Sequence, residues 1–381
     1  MRDNNIEAFF ALVRAGLFPV HGEGFKVNES IFQDVEWKKI YQLAQEQSVL
    51  GLVLQGIETV QGSWLKVHGS PLVPKVLLLQ WIGEVQMVEQ RNKEMNAFIA
   101  ELIEKLRKED IYAILVKGQG IAQCYERPLW RSSGDVDFFL SKDDYKKAID
   151  FLTPIANKVV DNTIETKHFS MFLGQWEVEL HGTLHSQISK RIDSVVDKIQ
   201  EDTFNNREVR TWYIGNTDIL LPSPNNDIIF VFTHILQHFF LGGIGLRQLC
   251  DIARLLWTYR ECIDNDLLNE RLLKMGIMKE WKTFGNLIVS VLGLPSEAMP
   301  FYEDSFSSKT QRVLSYILDM GNFGHNKDVS FQYNDHVIIR KMKTFWRQVE
   351  ESFRLMCIFP KNSIVSLGNY WVYGTKRLSK L

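Results

Sequence analysis

From residue 111 to 181 short β-prone apolar runs broken by glycine replace the long helical stripes, around one helical segment that sets Tyr145, Ala148, Ile149 and Leu152 on one face. Ahead of that stretch, Val88, Met95, Phe98, Ile99, Leu102, Ile103 and Leu106 recur every three or four positions, the stripe of a helix packed on a core. Pro74 is placed to start that helix, and Lys105, Arg107 and Lys108 suit its C-terminal end. Residues 6–15 and 40–56 carry similar stripes. Helical character returns after Pro222 and Pro224, with Asn225, Asn226 and Asp227 placed as caps for a helix from Ile228, and a further helix over 249–257. Residues 336–354 set Ile339, Met342, Phe345, Trp346, Val349 and Phe353 opposite Arg340, Lys341, Lys343 and Arg347. The change of period on both sides of a central unit predicts an α+β chain in three parts: helical 1–108, an α/β core 109–221 and helical 222–381.

Inside that core, residues 111–116 read as a strand ended by Lys117-Gly118-Gln119-Gly120, with a helix beginning in 121–125. Arg131-Ser132-Ser133-Gly134 leads into a second strand over 135–140. Ser141 is placed to cap a helix with Asp143 and Asp144 in its first turn. Strands over 167–173 and 175–181 follow, with Gly174 near the turn.

Composition narrows the function classes. The 44 Lys and Arg against 46 Asp and Glu, net −2, argue against broad coating of nucleic acid. Cys124, Cys250, Cys262 and Cys357 have no CxxC spacing, so a zinc ribbon or thioredoxin-type chemistry lacks support, and they read as reduced, mostly buried thiols. The N-terminus has no apolar signal core, and the most apolar stretch, 228–246, is broken by His234, Gln237, His238, Gly242 and Gly243. A membrane span needs about 20 largely uninterrupted apolar residues, so this reads as a buried helix of a cytoplasmic chain with no membrane span.

Asp135 and Asp137 carry the sharpest chemical signal. Two residues apart on a strand, they point to one face about 6.5 Å apart, while Val136 and Phe138 point to the other. Side-by-side carboxylates repel unless a cation compensates, and hard oxygen ligands suit Mg²⁺, held by one or two carboxylates together with substrate phosphates. Lys117, Gly118 and Gly120 sit at a strand-to-helix junction where backbone amides favour phosphate. Arg131 is placed for a forked phosphate contact, the alternative being an ion pair with Asp135.

The runs Leu115-Val116-Lys117-Gly118-Gln119-Gly120 and Arg131-Ser132-Ser133-Gly134-Asp135-Val136-Asp137 resemble the uncharacterised nucleotidyltransferase family of the polymerase-β superfamily. They are also similar in motif order to AbiEii-type toxin nucleotidyltransferases, with Ser133 on the serine of that pattern. The resemblance is strong over 111–140 and weaker through 181. It implies a mixed β-sheet unit and transfer of a nucleoside monophosphate from an NTP such as ATP to a hydroxyl acceptor, with release of pyrophosphate and dependence on Mg²⁺, or Mn²⁺ in its place. It also implies a third carboxylate: Glu179 matches an apolar-Glu-Leu-His signature, with Glu177 as the fallback on the same strand face. His181 is then placed to position Glu179 or a phosphate, or else is an ordinary buried histidine. Ser132 and Ser133 become phosphate contacts, and Arg247, in a weaker feature with His234, His238 and Asp251, is placed to steady the triphosphate.

One departure stands out: Gly118-Gln119-Gly120 replaces the superfamily's glycine-serine pair and brings no hydroxyl. Unless Ser132 or Ser133 replaces it, an inactive nucleotide-binding or assembly module stays open. So does toxin-like nucleotidylation of tRNA or protein rather than a small molecule. Two weaker signals are set aside. His181-Gly182-Thr183-Leu184-His185 lacks the glutamate and the helix of a zinc pair, and the basic face over 340–347 reads as the solvated side of a helix.

Overall fold

The computed structural model describes residues 4–19, 29–68, 71–160, 168–321, 346 and 349–378, with 62–68, 306 and 370–378 described by their backbone alone. Among the described residues, α1 (Asn4–Leu17), α2 (Trp37–Glu46), α3 (Leu50–His68) and α4 (Lys75–Lys108) precede the sheet. Pro74 stands at the start of α4, and Lys105, Arg107 and Lys108 occupy its last turn, where cations favour the dipole. The core unit then runs β1 (Ala113–Val116), α5 (Gly118–Ala122), β2 (Val136–Leu140), α6 (Lys142–Leu152), β3 (Lys158–Val159), β4 (His168–Leu173) and β5 (Trp176–His181). Ser141 caps α6 by accepting a hydrogen bond from the Asp144 amide at 3.1 Å, as its sequence position predicts.

The five strands form one mixed sheet in the order β1-β2-β5-β4-β3. Only β2 and β5 run parallel; the other neighbours are antiparallel. Register decides what meets what: Asp137 lies beside Val116 on one side and beside Glu179 on the other, and His181 lies opposite His168 across the β4–β5 hairpin. Val136, Phe138, Leu140, Val178 and Leu180 are buried with Met95, Ile99 and Leu102 of α4 and with Ala148 and Leu152 of α6. The opposite face of β2 and β5 carries Asp137, Glu177, Glu179 and His181, together with Phe139, which packs on Phe204 and Phe230.

Beyond the sheet lie α7 (Lys190–Asn205), a hairpin of β6 (Val209–Ile214) and β7 (Thr217–Pro222), then α8 (Pro224–Leu241), α9 (Leu246–Tyr259), α10 (Asn265–Met275), α11 (Met278–Ser290), α12 (Ser307–Met320) and α13 (Pro360–Leu378). The hairpin adds a fold element that the sequence pattern does not predict. Ile219 and Leu221 of β7 join the core beneath the sheet. A second, larger core links α1, α2 and α3 directly to α8, α9, α11 and α12, so helices from both ends of the chain share one apolar interior.

Three local expectations are corrected. Helix α8 starts at Pro224 with Ser223 before it, and proline at the first helical position suits its fixed φ and missing N–H. Asn226 and Asp227 are therefore inside the helix, where Asn226 Nδ2 donates to Thr203 Oγ1 and Glu208 Oε2 and Asp227 pairs with Arg210 at 2.7 Å. Helix α5 begins at Gly118 rather than in 121–125. Of the cysteines, Cys124 and Cys250 are buried but Cys262 and Cys357 are exposed.

The basic face Arg340, Lys341, Lys343 and Arg347 lies outside the described residues, as do Ile339, Met342 and Phe345. Trp346 and Phe353, expected on the apolar side of that segment, are exposed, while Leu355, Ile358 and Phe359 are buried. Among the described residues no helix is long and apolar enough to cross a membrane.

Candidate active site

The site is built where β1 ends and β2 and β5 run side by side. Lys117, the residue between β1 and α5, has φ 58° and ψ −146°, close to a region that only glycine occupies without strain. Holding a lysine there costs of order 1–3 kcal/mol and persists because the surroundings fix it. The side chain shows what is gained: Lys117 Nζ donates to Asp137 Oδ1 at 2.9 Å. Gly118 follows with φ 37°, and a Cβ there would stand 3.5 Å from the Asp135 carbonyl oxygen. Gly120 has a different reason to be small. A Cβ on it would lie 2.8 Å from Leu221 Cδ2, so the β7 hairpin presses against it and it faces the packing side.

Asp137 is 3% exposed and sits between two cationic or hydrogen-bonding partners. Besides Lys117 it takes His181 Nε2 at 2.7 Å. Burial on its own raises the Asp137 carboxyl, but Lys117 and His181 override it and hold the group below the ordinary carboxylate range. Burial also lowers the Lys117 ammonium, and Asp137 and Glu179 reverse that and push it up. Glu179 places Oε2 3.3 Å from His181 Nε2 and Oε1 3.8 Å from His168 Nε2, and His181 keeps it ionised against the penalty of burial.

Asp135 is the outermost of the three carboxylates. The charge of Asp137, then burial, pushes it up to about 6, and Lys117 only partly compensates. The local charge is thus short of cation. Asp135, Asp137 and Glu179 each offer an oxygen, and these atoms lie within 4.8 Å of one another. Hard oxygens in that number with unbalanced negative charge fit a Mg²⁺ or Mn²⁺ ion. Glu177, the alternative third carboxylate, accepts a hydrogen bond from Ser170 Oγ at 2.8 Å instead.

The loop 131–134 forms the other wall. Arg131 is 8% exposed and turns its guanidinium to Asp251 of α9, with Nε on Oδ1 and Nη2 on Oδ2, both at 2.7 Å. Tyr125 Oη donates to the same Asp251 at 2.8 Å. Arg131 Nη1 donates to Ser133 Oγ at 2.8 Å and to the Ser132 carbonyl at 3.2 Å, and Arg247 Nη1 donates to that carbonyl at 2.7 Å. Burial, then the charge of Arg131, lowers the Arg247 guanidinium. The ion pair of Arg131 with Asp135 weighed from the sequence is replaced by this pair with Asp251. A small cleft beside the loop is lined by Gln55 and Leu52 of α3 and by Trp130, Arg131, Ser132 and Arg247.

Gln119, which stands where a hydroxyl was expected, is 1% exposed and points away from the carboxylates. Its Nε2 donates to Asn92 Oδ1 of α4 at 2.7 Å, and Asn92 Nδ2 donates to the carbonyls of Leu129 and Arg131, each at 2.8 Å. One buried asparagine therefore ties the Lys117-Gly118 turn to the loop before Asp135.

Of the residues singled out in the sequence, Lys117, Asp135, Asp137, Glu179 and His181 converge. Arg131, Ser132, Ser133 and Arg247 form a linked group on the adjoining loop. His234 and His238 pack ring to ring on α8, with centroids 4.4 Å apart. Three contributors escaped notice: Asn92, His168 and Tyr125. A polar residue on the stripe of α4 marks Asn92, and counting back across the turn at Gly174 sets His168 opposite His181.

A sequence profile described as uncharacterised nucleotidyltransferase matches residues 33–288. The crystal structure of an antigenic nucleotidyltransferase-like protein from Paracoccidioides brasiliensis is similar at 15% identity, over 53% of this chain and 93% of that one, with a TM-score of 0.32. No curated protein matches the chain.

Proposed function

The chain belongs to the uncharacterised nucleotidyltransferase family, and from that premise we propose that it moves a nucleoside monophosphate from an NTP to a hydroxyl acceptor. The acceptor hydroxyl gives up its proton to solvent as its oxygen bonds to the α-phosphorus, the bond from that phosphorus to the bridging oxygen breaks, and pyrophosphate leaves. The single observation carrying this reading is the juxtaposition of Asp135, Asp137 and Glu179, oxygens within 4.8 Å, against a strained turn that aims Lys117 at Asp137.

Asp135, Asp137 and Glu179 would hold Mg²⁺ or Mn²⁺, which supplies charge neutralisation of the triphosphate. Lys117 and His181 keep Asp137 ionised and orient it beside Glu179. Ser132, Ser133 and the Gly118 amide take the phosphates. Arg131 acts through Ser133, whose hydroxyl it grips, and Arg247 holds the Ser132 backbone. Gly120 serves this turn by letting Leu221 pack beneath it. The core 109–221 carries the chemistry. The helical parts 1–108 and 222–381 hold its two walls in place through Asn92 and Asp251. Such a reaction draws on the nucleotide pool of the cytoplasm.

The test is labelling of an extract with each α-³²P-labelled NTP in Mg²⁺ or Mn²⁺. The reading predicts transfer of label by the native protein and at least about a 10²-fold loss in Asp137→Asn. Label that resists nuclease and protease marks a small-molecule acceptor; sensitivity to one of them marks tRNA or protein. Equal labelling by the native protein and Asp137→Asn sinks the assignment.

A further inference from the structure

Glu179 belongs to two groups of metal-ligating side chains. The first is the carboxylate set above. The second is His168, Glu179 and His181, whose donor atoms also lie within 4.8 Å of one another. Strand register creates it: His168 on β4 pairs with His181 on β5, and alternation puts Glu179 on the same face as His181. The imidazole rings stand 5.4 Å apart, centroid to centroid, with one Nε2 toward each oxygen of Glu179, at 3.8 Å and 3.3 Å. Two imidazoles turned on one carboxylate form a nitrogen-rich donor set beside an all-oxygen one.

We propose that His168, Glu179 and His181 form a second cation site, for a borderline divalent ion such as Zn²⁺, Co²⁺ or Mn²⁺, with Glu179 bridging to the carboxylate site. Imidazole suits these ions and is a poor ligand for Mg²⁺, so the two sites differ in metal preference. Three protein ligands leave a position open, as in zinc sites that do chemistry rather than hold structure. Occupation has a consequence on the other side of the ring. His181 Nε2 now donates to Asp137 Oδ1; once it is a ligand, its proton is released to solvent and Asp137 keeps Lys117 as a partner. Filling the histidine site thereby releases Asp137 toward the carboxylate site. The inference needs only these side chains and stands apart from the reading as a transferase.

The experiment uses the full chain without a polyhistidine tag and Co²⁺ as the probe, followed by visible absorption and calorimetry. The native protein is expected to bind Co²⁺ with an absorption band of nitrogen ligation. His168→Ala is expected to weaken binding by more than the roughly 10–100-fold that loss of an outer-shell partner costs, while Asp135→Asn keeps the band. The His168 side chain is 38% exposed, so its removal leaves the fold intact, which circular dichroism checks. His168→Asp is expected to shift preference from Co²⁺ toward Mn²⁺. No Co²⁺ binding by the native protein, equal binding by His168→Ala, or equal loss in Asp135→Asn overturns the site. Co²⁺ bound through His168 by a protein that transfers no nucleotide upholds the site and sinks the transferase. Transfer with Co²⁺ binding indifferent to His168 does the reverse.

Discussion

Arg131 and Asp251 form a two-pronged buried ion pair across 120 residues of sequence, with both N–O distances at 2.7 Å. The pair fastens the loop that precedes the acidic strand to helix α9. Removing one partner strands the other charge in the interior, which costs about 3–5 kcal/mol. Asp251→Ala should therefore lower the urea midpoint strongly, and a version that still folds should lose nucleotidyl transfer because Ser133 loses its anchor. Stability unchanged within about 0.5 kcal/mol would show that the pair carries nothing.

Glu179 and Glu177 separate by function. Glu179→Gln removes an oxygen charge from the carboxylate set and should cut transfer by about 10²-fold or more. Glu177→Gln disturbs only the hydrogen bond from Ser170 and should leave transfer within a few-fold. Steady-state rates of the two variants under saturating NTP decide it.

Lys117 carries backbone strain in addition to its charge. Lys117→Ala and Lys117→Gly both remove the cation beside Asp137 and should both be inactive. Glycine occupies φ 58°, ψ −146° freely, so Lys117→Gly should unfold at higher denaturant than Lys117→Ala, by about 1 kcal/mol or more. Equal midpoints would mean that the turn is not strained.

Asp135 sets a pH dependence in the metal-free protein. Its carboxyl rises from 3.8 to about 6 on folding, so between those values the folded state holds a proton that the unfolded state has lost. Stability falls as pH climbs through that window and stays reduced above it. The difference is worth at most about 3 kcal/mol, and solvent near the outermost carboxylate reduces it to about 1 kcal/mol. Asp135→Asn should then be more stable than the native protein at pH 7.5 and equal to it at pH 4. A melting temperature that rises with pH from 4 to 7 in the native protein, more than in the variant, would contradict this sign.

Gln119→Ser puts a hydroxyl into the Gly118-Gln119-Gly120 turn. Because Gln119 faces Asn92 inside the protein, the change should leave Asn92 Oδ1 unpaired, lower stability by about 1–3 kcal/mol and bring no gain in transfer. Activity raised above native would mean that the hydroxyl reaches the phosphates after all.

The acidic strand, the cap at Ser141 and the hairpin at Gly174 were legible because each depends on local spacing, a period of two or a turn. Glu179, by contrast, came only from the family resemblance: period two sets Glu177 and Glu179 on one face alike, and the parallel pairing that brings Glu179 beside Asp137 is long-range. The β6–β7 hairpin was not legible, since its first strand is half exposed without clean alternation. The direction in which Arg131 and Gln119 point was hidden as well. Their partners, Asp251 and Asn92, lie 120 and 27 residues away, and only tertiary packing brings them near. The sequence showed that an arginine and a glycine turn flank the aspartates. It could not show that the arginine is spent on α9 and that Gly120 answers to Leu221.

The central claim is that carboxylates of neighbouring strands share a divalent ion. Anomalous diffraction from crystals soaked in Mn²⁺ with a non-hydrolysable NTP tests it most directly. The account predicts a peak about 2.0–2.2 Å from oxygens of Asp137 and Glu179, with the phosphates against Ser133 and Gly118. Phosphates elsewhere, or a well-ordered nucleotide with no peak between those strands, would contradict it.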